Sequence, residues 1–130
     1  MKFLIVIPTL NEHKNIGIIT KKIIRSYKNA NILFIDDNSH DGSKEEIINL
    51  NKKNKKIQYI FRPKKLGIGS AHKLGIRLAK KLKYRYVCTM DCDGTHNPKT
   101  IKAMFKYIRT NDLVLTTRFK NKKSIRSWPF

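Results

Sequence analysis

Apolar and polar positions alternate in blocks along the chain. Five short runs rich in β-branched or aromatic residues recur at near-regular spacing: KFLIVI (2–7), NILFID (31–36), IQYIF (57–61), YRYVCTM (84–90) and DLVLTT (112–117). Each predicts a strand. The segments between them carry helical periodicity, with Ile16, Ile19, Ile23 and Ile24 on one face of the first and Ile47, Ile48 and Leu50 on the second. Leu74, Leu78 and Leu82 serve the third in the same way, and Ile101, Met104, Phe105 and Ile108 the fourth. The resulting order is βαβαβαβαβ. Nearly continuous apolar strands separated by helices predict an α/β fold, a mainly parallel sheet with helices on both faces. Ser43 with Glu46 reads as a capping box opening the second helix, and Pro98 suits the first turn of the fourth.

In such sheets ligands gather where the loops leave the carboxyl ends of the strands. Here those loops read PTLNE, DDNSHDGS, RPKKLGIGSA, DCDGTHNP and Thr117-Arg118. The chain has 29 Lys and Arg against 9 Asp and Glu, a formal net charge of +20, so its acids are scarce. Six of the nine lie in three of these loops: Glu12, then Asp36, Asp37 and Asp41, then Asp91 and Asp93. Their position at the expected rim points to a cationic or donor-rich guest.

A chain of 130 residues, 40% hydrophobic, holds one globular domain with a real core. The longest apolar runs fall far below the roughly 18–20 residues of a membrane span. The run from Phe3 to Ile7 meets Pro8, Asn11 and Glu12 where a signal peptide would need a small-residue cleavage site. The expected location is cytoplasmic. Cys88 and Cys92 form no disulfide framework, and with His96 they match no common zinc spacing; Cys88 moreover falls in an expected buried strand. The basic balance admits nucleic-acid binding through counterion release. The Lys residues, however, are spread over expected helix faces without interleaved aromatics, which favours solvated faces and attraction to an anionic membrane surface.

Two common nucleotide motifs are excluded. A dinucleotide fingerprint needs glycines in the first βα turn, where PTLNE stands, and Gly67-Ile68-Gly69 is followed at the third glycine position by His72. No phosphate-binding G-x-x-x-x-G-K-[ST] occurs. The Asp91-Cys92-Asp93 stretch suits other chemistry. Alternation along an extended segment points both carboxylates one way and Cys92 the other. Hard oxygen ligands of this kind suit Mg2+ or Mn2+ with waters and a diphosphate, and Gly94 lets the chain turn sharply beneath. A solvent-exposed, Asp-capped turn is the alternative. DDNSHDGS likewise reads either as a nucleoside contact or as a turn rich in helix-capping residues.

Taken in order, VIPTLNE, IDDNSHDGS, GIGSAHKLGI, MDCDGTHNPKTI and TTRF resemble the family-2 inverting glycosyltransferases, nearest the branch that makes dolichol- and polyprenyl-phosphate sugars. The resemblance covers residues 3–119 and implies a GT-A fold, a GDP- or UDP-sugar donor and a divalent metal. It implies that Pro8, Thr9 and Glu12 line the base and ribose pocket and that Asp37 contacts the nucleoside. Asp91 and Asp93 would hold metal and diphosphate, and Arg118 would neutralise phosphate charge. Leu10 stands where relatives often have Tyr, Thr95 where they often have Gln or Ser, and Thr116 where they have Gly. The expected organisation is a nucleotide-sugar-binding domain over 1–119 and an irregular basic tail over 120–130, the start of an absent acceptor region.

The implied activity is transfer of mannose or glucose to an acceptor, a polyprenyl or dolichyl phosphate, by direct displacement with inversion. A lipid phosphate is already anionic and needs no strong base, so His96 reads as a loop residue or a donor behind the metal ligands. Two other readings stand beside this one: a truncated, non-catalytic nucleotide-sugar-binding domain, and a basic nucleic-acid-binding module, for which charge is the sole motive. No nucleic acid is expected as partner; peripheral docking at a membrane is.

Overall fold

The structure, a computed structural model, describes residues 2–117. It falls into two compact units, one ending at Lys99 and one beginning at Thr100. The first holds strands β1 (Phe3–Thr9), β2 (Asn31–Asp36), β3 (Ile57–Phe61) and β4 (Tyr86–Thr89), with helices α1 (His13–Ser26), α2 (Ser43–Lys53) and α3 (Ile68–Lys81) between them. In the second, the regular element among the described residues is α4 (Thr100–Tyr107).

All strand pairs are parallel, in the order β3-β2-β1-β4. Right-handed crossovers fix where the helices lie. The first two connections step the same way across the sheet, so α1 and α2 share a face and touch each other. The third steps back past β2 and β1, so α3 crosses to the other face, where Leu4, Val6, Leu33 and Ile35 meet Ala71 and Ala79. The opposite positions of β1 and β2, including Ile5, Ile7, Ile32 and Phe34, are equally closed to solvent. With both faces covered, alternation disappears from β1 and β2 and they read as continuous apolar runs.

One approach is unusually close. At Gly75 of α3 a Cβ would lie 2.4 Å from Val6 Cγ1 and 2.7 Å from Cγ2. The bare glycine lets the helix settle directly on β1.

Four expectations change. The run 112–117 forms no strand; Leu113 and Leu115 are 72% and 80% exposed. Its apolar and β-branched residues give a preference for extended chain, but a strand exists only by ladder bonds to a neighbour. The Ser43–Glu46 capping box is absent. Gly42, in the left-handed region, precedes the helix, and the buried Ser43 hydroxyl turns to Asp41 Oδ1 instead. That carboxylate also accepts from the Ser43 N–H at 3.0 Å and so serves the first turn from one residue further out. Pro98 sits in the turn ahead of α4, two residues before its start. Finally, β4 is an edge strand with Val87 exposed, and Cys88 is half-buried. Among the described residues no helix is long and apolar enough to cross a membrane.

Candidate functional site

The strand order reverses at β1, so the crevice between the carboxyl ends of β1 and β4 is the topological switch point. The loop after β1 contributes Glu12, and the loop after β4 contributes Asp91 and Asp93. The loop after β1 is held by bonds to the loop after β2, and the loop after β4 by bonds within itself.

After β1 the chain is laced to the loop after β2. Asp37 N–H donates to Thr9 O at 2.9 Å, Asn11 N–H to Ser39 Oγ at 2.8 Å and His40 N–H to Asn11 Oδ1 at 3.0 Å. Glu12 N–H donates to Ser43 Oγ at 3.0 Å, and His13 N–H to Asp41 Oδ2 at 3.1 Å. Desolvation is the largest single influence on the Asp41 carboxyl and pushes it up, but the hydrogen bonds it accepts from the Ser43 and His13 groups together outweigh it and hold the carboxyl below the ordinary range.

Asp36 and Asp37 have separate tasks. Asp36 is fully buried, and its carboxylate accepts from Thr9 Oγ1, Ser39 N and Ser39 Oγ. It ties β1 to the turn after β2. Asp37 forms a buried ion pair with Arg62 and also accepts from Leu66 N at 3.2 Å and Gly67 N at 2.9 Å. Arg62 then donates onward to Ser70 Oγ and, at 2.9 Å, to Gly67 O. A nucleoside reaching the Asp37 carboxylate would displace one of these donors. The sequence does not announce Arg62: its pairing with Asp37 exists because β3 lies beside β2.

The loop after β4 keeps the expected alternation. Cys92 is buried, Asp91 half-buried and Asp93 exposed. Thr95 donates its N–H and hydroxyl to Asp93 Oδ1 at 2.9 and 2.6 Å, closing a tight turn in which Gly94 takes φ +82°. His96 folds back: its Nδ1 accepts from Asp91 N–H at 2.9 Å, which places the ring proton on Nε2, 3.8 Å from Asp91 Oδ2. Burial pushes the Cys92 thiol up to about 12, with further push from Glu12, Asp93 and Asp91. The buried thiol thus feels the negative charge of all three carboxylates. Burial likewise pushes the Cys88 thiol up to about 11.

A metal fits this donor set. Cys92 is turned inward and protonated, so the loop presents hard carboxylate oxygens, which suit Mg2+ or Mn2+ better than a thiophilic ion. Among the described residues no three His, Cys, Asp or Glu converge as a ready cage. Two carboxylates completed by water and substrate oxygens are the usual arrangement for Mg2+. Beside the loop lies a cavity of about 290 Å³ whose lining includes Asn15, Ile19, Lys22, Cys92 and Asp93.

Of the expected site residues, Asp91 and Asp93 share the loop after β4, and Glu12, in the loop after β1, adds its charge to theirs at Cys92. Pro8 and Thr9 occupy the end of β1 beside Ile35 and Asp36, and Thr9 is buried. Arg118 lies outside the described residues. The family model described as glycosyl transferase family 2 matches residues 4–130. The chain belongs to this family. Its described architecture is that of the GT-A glycosyltransferases.

Among curated proteins, this family-2 chain is 27% identical over 129 residues to an undecaprenyl-phosphate mannosyltransferase of Micrococcus luteus, covering 99% of the chain and 53% of the relative. It is 29% identical over 135 residues to a dolichol-phosphate mannosyltransferase of Saccharomyces cerevisiae, covering 99% and 49%. The chain thus spans about half the length of the curated relatives it matches. Among solved structures it resembles TarS of S. aureus in complex with UDP, with a TM-score of 0.63 at 19% identity, covering 93% of this chain and 40% of that one. A mannosyltransferase from Pyrobaculum calidifontis in complex with GDP-Man and Mn2+ gives a TM-score of 0.54 at 17% identity, covering 60% and 24%.

Proposed function

We propose that the chain binds a nucleoside-diphosphate sugar and forms the donor-binding part of a transferase that passes mannose to a polyprenyl phosphate. The observation that carries this reading is the loop after β4: Asp91 and Asp93 stay open to solvent and Cys92 is buried at the switch point. The mannosyltransferase names of the relatives supply the sugar and the acceptor class.

In this reading Pro8, Thr9 and Glu12 form the nucleoside side of the crevice, with Asp37 and its partner Arg62 behind. Asp91 and Asp93 would hold Mg2+ or Mn2+ at the diphosphate. Bound there, the cation would offset the negative charge that grows on the leaving nucleoside diphosphate. Arg118 would add a second positive charge of the same kind. A lipid-phosphate oxygen forms the new bond to the anomeric carbon from the side opposite the diphosphate. The old carbon–oxygen bond breaks with its electron pair on the nucleoside diphosphate, and the configuration inverts. The nucleophile is already anionic, so no proton has to be removed; His96, held against Asp91, steadies the loop.

The test is calorimetric titration with GDP and with UDP, in Mn2+ and in chelator, on the wild type and Asp93→Asn. Metal-dependent binding of one nucleotide, weakened at least tenfold by the substitution, is the expected result. Equal binding with and without metal, or by both proteins, would remove the metal role of Asp93. Donor binding without turnover on added polyprenyl phosphate would favour the non-catalytic binding-domain reading.

A further inference from the structure

From Ile47 to Met90 the chain contains no Asp or Glu and 13 Lys and Arg. This segment includes α3 and the loop before it, which leaves the same rim as the site. The inner side of α3 is closed on the sheet through Ala71, Gly75 and Ala79. On its outer side stand Lys73, Arg77 and Lys80, all exposed, and none of them joins an ion pair among the described residues. Lys64 and Lys65 extend the positive surface into the loop.

Aliphatic side chains are set among these cations. Ile76, beside Lys73 and Lys80 on the helix, is 47% exposed, and at the loop end of α3 Ile68 and Leu66 are 57% and 47% exposed. We infer that the outer face of α3 with the loop Pro63–Ile68 docks on an anionic phospholipid surface. Aliphatic groups enter the interfacial layer while Lys and Arg, on flexible stems, meet the lipid phosphates. A nucleic-acid surface would use the same cations but stack bases on exposed aromatics, and α3 carries none. Complementary charge and exposed aliphatics together select the bilayer. The inference rests on the charge and exposure of α3, not on the donor site; with the proposed lipid-phosphate acceptor it sets the rim beside the headgroups.

The full chain is tested by co-sedimentation with vesicles of phosphatidylglycerol mixed into phosphatidylcholine and with pure phosphatidylcholine vesicles. A single-stranded RNA is offered in parallel. Binding is expected to the anionic vesicles alone. A Lys73→Gln, Arg77→Gln, Lys80→Gln variant, checked for fold by circular dichroism, should lose on the order of a hundredfold in partitioning, from about a fivefold factor per cation. Ile68→Ser with Ile76→Ser should weaken binding that remains salt-sensitive. The proposal is overturned if the triple variant binds vesicles as the wild type does. It is overturned equally if anionic and neutral vesicles bind alike, or if RNA binds through these residues while vesicles do not. Titrating GDP and UDP into the same variants keeps the donor site separate: its failure leaves vesicle binding intact, and the reverse also holds.

Discussion

Asp37 and Arg62 show how a single pair can hold a rim. Both are almost fully buried, so their mutual attraction is poorly screened, and each is further satisfied by neighbouring polar groups. Replacing Asp37 with Ala would leave a buried guanidinium without its counter-charge. The expected cost is about 3–5 kcal/mol, the range for breaking a buried pair from one side. Removing both partners, as Asp37→Leu with Arg62→Met, should recover much of that loss, because no uncompensated charge remains. Urea denaturation of the wild type, the single variant and the double variant checks this. A loss below about 1 kcal/mol in the single variant would mean that water reaches the pair in solution. The pair also bears on ligand binding, since a nucleoside contacting Asp37 must compete with four donors already in place.

At the level of elements, helix propensity and packing make opposite predictions at Gly75. Gly to Ala within a helix gains about 1 kcal/mol from propensity. Here the new Cβ would press into both methyls of Val6, inside a fully closed layer, where overpacking costs about 1–3 kcal/mol. Packing should win, so Gly75→Ala is expected to lower the unfolding midpoint and to do so less in a Val6→Ala background. Thermal unfolding of the four proteins in this cycle measures the coupling; a stabilised Gly75→Ala would show that α3 sits further from β1 than described. Four strands and four helices were legible because their apolar periodicity is enforced by the core they build. The segment 112–117 was misread because Leu113 and Leu115 satisfy the pattern without a partner strand. The start of α2 was misread because Ser43 answers to Glu12 and Asp41, 31 residues and two residues away, and only the second is a local signal. The alternation of Asp91, Cys92 and Asp93 was readable from spacing alone, since alternation past a strand end is local geometry. Arg62 was not, because its role depends on which strands lie side by side.

For the whole molecule, a net charge of +20 sets the fold and its ligand against each other in their response to salt. At 0.01 M ionic strength the screening length is about 30 Å, roughly twice the radius of gyration expected for a chain of this length, so most cations repel one another. At 0.15 M it is about 8 Å and only near neighbours still interact. The self-repulsion of the native state should therefore fall between these conditions, and the thermal midpoint should rise by a few degrees, as expected for roughly 1 kcal/mol of relief in a domain of this length. Nucleoside diphosphate binding should move the other way, because the same positive field that strains the fold draws the polyanion to the rim. Scanning calorimetry and nucleotide titration across one salt series measure both slopes. A midpoint that falls with salt would mean that favourable ion pairing outweighs repulsion, which is hard to reconcile with the scarcity of acids outside the rim. A nucleotide affinity indifferent to salt would assign binding to the short-range donors and the Asp91–Asp93 loop, leaving the basic surface of α3 to face some other anion.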